Sequence, residues 1–208
     1  MINPITIDEV LRPAVREARW HNFNLLKKCK TIGEMVNLIQ LSLPKAKYIR
    51  IHVAGDYFNQ NYFDAWLQVA KNNSDILFYG YTKALPLLIK RLKSIPKNFR
   101  LTASKGGTHD YLIEKYNLKS VTVVKSVEEA KKLHLKIDHD DSLCYGGKAS
   151  FSVLLHGQQV KGTEYAKAWT LLKKQGMGGY GNQKQGMIDG SKAAVPKISS
   201  GRGSSRRV

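Results

Sequence analysis

Strand-like runs starting near residues 48, 76, 99 and 120 are each followed by a helical stretch, which is the spacing of βα units. A crossover of that length returns the chain parallel to the strand before it and with right-handed sense, so successive units build a parallel sheet, open or curled. An eight-fold barrel usually takes ~250 residues. This chain has 208 residues and five or six strand candidates, enough for part of a barrel only. The expected fold class is therefore α/β, with parallel β/α units forming a partial, TIM-like barrel.

Two helices are expected ahead of the first strand, over 7–28 and from Thr31 to Pro44. Thr31 with Glu34 three residues later is a capping-box pattern. The strands are expected over 48–54, 76–82, 99–103, 120–125 and 150–156. Between and after them come helices at 59–72, 84–94, 108–116 and 162–175, with a short one opened by Ser126-Val127-Glu128-Glu129. The segment 134–149 reads as polar and irregular. Residues 1–175 form the expected single domain. Residues 176–208, rich in Gly, Ser and basic side chains, bury too little apolar surface to offset ordering entropy and are expected to be a flexible, disordered basic tail.

In parallel architectures the carboxyl ends of all strands face one way, and here those ends are polar. The first strand runs into His52-Val53-Ala54-Gly55-Asp56, the second ends in Thr82-Lys83, the third in Ser104-Lys105-Gly106-Gly107, and the last in His156-Gly157. His52, Asp56 and His156 are candidate catalytic residues, because imidazole and carboxylate together relay protons or hold an ion. Helix capping by Asp56 and core filling by His52 are the structural alternative. Thr82, Lys83, Ser104 and Lys105 are candidate anion ligands, since a lysine beside a hydroxyl and a helix start suits phosphate or carboxylate. The Ser104–Thr108 stretch is not a Walker motif, and ordinary loop chemistry also accounts for it.

Asp138, His139, Asp140 and Asp141 are an oxygen-rich cluster that suits a divalent metal, or equally an acidic turn with helix caps. Tyr79 and Tyr81 share a strand phase. Core packing is the default for them and base stacking the minority reading. His21, His109 and His134 sit in helical contexts and receive no role.

Charge narrows the partners. Thirty-four Lys and Arg against 16 Asp and Glu give a net +18, spread along the chain, so nucleic acid or another phosphorylated ligand is the expected partner. Arg202, Arg206 and Arg207 near the end resemble a phosphate-binding arm, with a solubilising terminus as the alternative. Cys29 and Cys144 cannot build a disulfide framework or a four-cysteine metal site, which fits a reducing compartment. No run approaches the ~20 apolar residues of a membrane span, and the first residues lack a signal-peptide pattern, so a cytoplasmic protein without membrane contact is expected.

Taken together, Arg50–Phe58, Phe78–Lys83, Leu101–Gly107 and Leu154–Gly157 resemble the phage and bacterial family called gene product 88. The likeness spans residues 13–173. Val15–Asn22 resembles that family's early helix and Ile137–Ser142 its acidic segment. The resemblance implies a phage or prophage origin, hence a host cytoplasm, and brings no biochemical role with it. Longer members begin with a cysteine-rich segment similar to the cluster-binding loop of radical-SAM partial barrels, which implies a radical-SAM-like form of the barrel. This chain has no such segment, and Cys29 with Cys144 cannot replace it. It is expected to be a shortened relative without an iron–sulfur cluster.

Two functions follow. The first is binding of nucleic acid or another phosphorylated ligand at the strand carboxyl-end face. The alternative is an enzyme, metal-assisted or not, that uses the strand-end His, Asp and Lys residues.

Overall fold

Five strands, β1 (Tyr48–Arg50), β2 (Leu77–Thr82), β3 (Phe99–Ser104), β4 (Ser120–Val124) and β5 (Phe151–Leu154), lie side by side in chain order, and each neighbouring pair is parallel. They belong to a computed structural model that describes residues 13–52, 54–157 and 159–177. Strand order without a reversal keeps every right-handed crossover on one side, so the sheet curls into a half-barrel with its main helices outside. A doubly wound sheet would require a switch point, and none occurs here.

Helices α1 (Pro13–Lys28) and α2 (Ile32–Ser42) precede β1. Thr31 caps α2 by accepting from the Glu34 amide, while the Glu34 carboxylate accepts from the Lys30 amide at 2.8 Å. After β1, α3 (Gln60–Asn72) starts where the Asn59 side chain accepts from the Tyr62 amide at 2.8 Å. Its inward stripe, Tyr62, Phe63, Ala65, Leu67, Val69 and Ala70, is buried against the outer sheet face. There Phe63 meets Phe99 edge-on, and Trp66 meets Phe78 in the same way.

Strand β2 alternates cleanly. Phe78, Gly80 and Thr82 are buried, whereas Tyr79 and Tyr81 are half-buried on the opposite, concave face. Gly80 permits a close backbone approach: a Cβ there would lie 2.8 Å from the Ile51 carbonyl oxygen.

Several elements are shorter than expected, each for a local reason. The β1 ladder ends at Arg50, although the Ile51 amide still donates to Tyr79, because His52 turns into the left-handed region at φ 57°. The helix expected over 84–94 is α4 (Leu85–Ile89) followed by a 3₁₀ turn, Leu92–Ser94; Ile95 then becomes extended ahead of Pro96. α5 covers only Tyr111–Lys115, since the Asp110 side chain is engaged with the loop before it.

α6 (Val127–Lys132) is capped by Ser126, and α8 (Glu164–Lys174) by Thr163. The stretch 134–149 is more ordered than its polarity implies. Ile137 bridges Ser152 in parallel beyond β5, and Ser142–Gly146 form α7, which packs on β2 and β3. The few apolar residues of this stretch, among them Ile137, Leu143 and Cys144, are too scattered to give a periodic signal. The expected tail, from 178 onward, lies outside the described residues. Among the described residues no helix is long and apolar enough to cross a membrane.

Candidate functional site

The strand carboxyl ends do converge, and the polar groups there bond chiefly to one another. Just beyond β1, the Asp56 carboxylate accepts from the Thr82 hydroxyl at 2.7 Å and from the backbone amides of Lys83 at 2.6 Å and Ala84 at 3.1 Å. It also accepts from the Tyr57 amide at 2.8 Å. One strand over, the Lys83 ammonium donates to the Ser104 carbonyl and hydroxyl, each at 3.1 Å, and to the Lys105 carbonyl at 2.6 Å. Asp56 thus ties the first strand end to the second, and Lys83 ties the second to the third. All three ammonium hydrogens have an acceptor. Burial pushes the Lys83 ammonium below its usual range, against the opposing pull of Asp110 and Asp56.

The neighbouring glycine loop already holds an anion of its own. The Gly106 and Gly107 amides donate to the Asp110 carboxylate at 2.7 and 2.9 Å. The Lys105 side chain is exposed.

His52 turns away from this network into an aromatic nest. Its Nε2 lies 2.9 Å from the Tyr62 hydroxyl, and its ring contacts Tyr57 edge-on with centroids 4.7 Å apart. Burial drives its pKa down to about 4, only partly opposed by Asp56, so the ring is neutral at pH 7. Burial likewise lifts the Tyr62 hydroxyl to about 12. Among the described residues, the His52 Nδ1 and the Tyr57 hydroxyl are buried without a hydrogen-bond partner. His156 stands after the last strand, four strands from His52, with Nδ1 3.0 Å from the Leu154 carbonyl. The two imidazoles therefore belong to different surroundings, at the two ends of the strand order.

A second polar centre lies on the concave face, where the acidic segment folds back as a plug. Asp141, at φ 64°, directs its carboxylate to the Arg50 guanidinium at 3.0 Å and the Tyr81 hydroxyl at 2.8 Å, with the Tyr79 hydroxyl at 3.5 Å. Arg50 also lies over the Tyr81 ring. Burial, reinforced by Asp141, raises the Tyr79 hydroxyl to about 12. Lys119 caps α7 by donating to the carbonyls of Leu143, Cys144 and Gly147 at 2.5, 2.6 and 2.8 Å. The Arg100 guanidinium donates to the Tyr145 carbonyl.

Within the plug the acidic residues diverge. Asp138 is buried and accepts from the Cys144 amide at 3.0 Å, and burial raises its pKa. Asp140 accepts from the Ser142 amide at 3.0 Å; hydrogen bonding from Ser142 lowers its pKa. With Asp141 turned to Arg50, the carboxylates proposed as metal ligands hold turns and pair with the sheet. Among the described residues no three His, Cys, Asp or Glu gather in a way that could hold a metal ion.

Cys144 is fully buried, 3.6 Å from the Thr102 hydroxyl, and burial pushes its thiol above the usual range. Cys29 sits just after α1, its thiol 3.5 Å from the Leu25 carbonyl. Arg202, Arg206 and Arg207 lie outside the described residues.

Arg50, Arg100, Lys119 and Cys144 carry the plug and were not among the expected site residues, whereas Tyr81, for which core packing or base stacking is expected, bonds to Asp141. Arg50 and Arg100 had a readable signal: each falls on the same strand phase as the tyrosines, a charge inside an otherwise apolar run. The contacts of Lys119 and Cys144 depend on the return of residues 138–147 and had none.

No solved structure matches this chain. The Gene 88 proteins of Mycobacterium phages L5 and D29 are each 32% identical over 84 residues, 36% of this chain and 35% of theirs. The matched stretch thus spans about a third of those relatives' length. The model of the family described as Gene product 88 matches residues 8–175, nearly all of the half-barrel described above, and the chain belongs to that family.

Proposed function

We propose that this chain binds a polyanion, nucleic acid before smaller phosphorylated ligands, inside the cytoplasm of a phage host. The observation that carries the reading is the placement of basic side chains around the sheet layer. Lys47, Lys97 and Lys148 are exposed just before β1, β3 and β5, and Lys105 and Lys161 are exposed in the loops after β3 and β5. Exposed lysines spaced around a half-barrel would attract a polyelectrolyte and make its binding depend on salt. The latches at the strand carboxyl ends work against a closed phosphate pocket there, because Lys83 and the Gly106–Gly107 amides are engaged by the fold itself. That face contributes Lys105 and Lys161 as surface charge. The test is fluorescence anisotropy of labelled oligonucleotides over a salt series: binding that weakens steeply with salt supports the reading, and binding indifferent to salt removes it.

One observation favours the enzymatic alternative. His52 is a non-glycine residue held at φ 57°, next to a buried Tyr57 hydroxyl that has no hydrogen-bond partner among the described residues, and strained polar positions of this kind collect at reactive sites. A turnover screen with phosphoesters, in which His52→Ala abolishes any activity found, tests it. Activity that survives the substitution rules His52 out.

A further inference from the structure

We infer that the amino-terminal end of the half-barrel, where Tyr48 and Tyr145 lie among Lys47, Arg100 and Lys148, is a stacking surface for single-stranded nucleic acid. The inference rests on the polyanion reading above and moves its principal contact away from the strand carboxyl ends.

The tyrosines form a continuous run. Tyr48, the first residue of β1, is 56% exposed, leaving much of its ring uncovered. Its centroid lies 5.3 Å from that of Tyr145, which lies 5.3 Å from Tyr79 in turn. The run begins half-buried on the concave face at Tyr79 and ends in solvent at Tyr48. An exposed ring backed by a second one is a rigid platform on which a base can stack at small entropic cost.

Cations surround the platform through the same framework. Arg50 and Arg100 flank Tyr79 in the cross-strand row on either side. Arg100 is exposed and holds the Tyr145 carbonyl, so its guanidinium stays beside the aromatic run. Lys148 is exposed and follows Gly147, whose carbonyl Lys119 fixes at 2.8 Å. Lys47 is exposed beside Tyr48, and with Lys45 and Asn73 it lines an open groove of about 610 Å³ that also carries Asp75. The result is a track in which ammonium and guanidinium groups can follow phosphates while ring faces receive bases.

The chemistry selects single strands. In a duplex the base faces are stacked on one another, so Tyr48 could meet only sugar, phosphate and base edges. An unpaired strand offers its π-faces, and stacking tolerates any sequence. An acidic peptide would meet the cations but would leave the tyrosines unused.

The experiment measures anisotropy of labelled oligo(dT), a duplex of equal length and polyglutamate as competitor, using the full chain and exposed-site variants whose folding is checked by circular dichroism. Tyr48→Ala is expected to weaken oligo(dT) binding by roughly tenfold while leaving duplex binding unchanged, and Tyr48→Phe to retain affinity. Lys47→Gln with Lys148→Gln is expected to flatten the salt slope by about 0.7 per lost phosphate contact. If these variants bind like the parent chain while Lys105→Gln with Lys161→Gln weakens binding, the polyanion reading stands and this surface is wrong. Polyglutamate competing as well as oligo(dT) would likewise overturn the surface. A parent chain that binds no oligonucleotide at low salt overturns both.

Discussion

The Asp56 carboxylate, just past the end of β1, accepts the Thr82 hydroxyl at the end of β2 at 2.7 Å, and the same carboxylate takes the two backbone amides that follow Thr82. A group placed where catalysis was expected is joining two strands. Asp56→Ala should cost about 3 kcal/mol of stability, because the buried Thr82 hydroxyl and the adjoining amides lose a charged acceptor together. Urea unfolding of the variant and parent at pH 7 measures this. A loss below about 0.5 kcal/mol, the usual limit for a surface change, would show that Asp56 is not a latch.

His52 makes stability depend on pH. Its pKa in the fold is about 4 against 6.5 ordinarily, so the unfolded chain binds the proton more readily between those values. Stability is therefore fully present above pH 6.5 and falls as the pH drops toward 4, by up to about 3 kcal/mol for this one group. Unfolding midpoints between pH 7 and 4.5 should fall more steeply in the parent than in His52→Gln. Equal slopes would place His52 in a solvated setting.

Gly80 separates β2 from the chain after β1. Gly80→Ala should lower stability by about 1–3 kcal/mol, since its Cβ would press on the Ile51 backbone oxygen rather than on a side chain able to swing away. Thermal unfolding gives the answer. A midpoint equal to the parent's would mean that the first two strands are spaced more widely than described here.

The plug can be followed through its own thiol. Asp141→Ala removes the carboxylate shared by Arg50 and Tyr81, and the loosened segment should expose Cys144 more often. In a Cys29→Ser background, modification of Cys144 by a thiol reagent under native conditions should speed up roughly tenfold, corresponding to about 1.4 kcal/mol of local opening free energy. An unchanged rate would assign the burial of Cys144 to the apolar contacts of α7 alone.

These features were legible in the sequence to different depths. Strand and helix alternation was readable because β2 alternates Phe78 and Thr82 with Tyr79 and Tyr81 and because α3 carries a full apolar stripe, so the parallel half-barrel followed from periodicity and crossover length. The convergence of Asp56, Thr82, Lys83 and Ser104 was readable from topology, but their use was not. Whether a strand-end lysine faces solvent or its neighbour's carbonyls depends on ångström-scale placement that residue type does not encode. The concave plug was the least visible part, because Asp141 meets Arg50 across 91 positions and no local pattern announces such a pairing. The amino-end surface was hidden for a related reason. Tyr48 and Tyr145 become neighbours only through the return of α7 across the sheet.

The most direct measurement is the affinity of the parent chain for labelled oligo(dT) as salt is raised from about 50 to 200 mM. A polyanion-binding half-barrel predicts a linear fall of log affinity with log salt, with a slope of about −0.7 for each phosphate engaged. Affinity that stays level across the series, or no complex at the lowest salt, would contradict it.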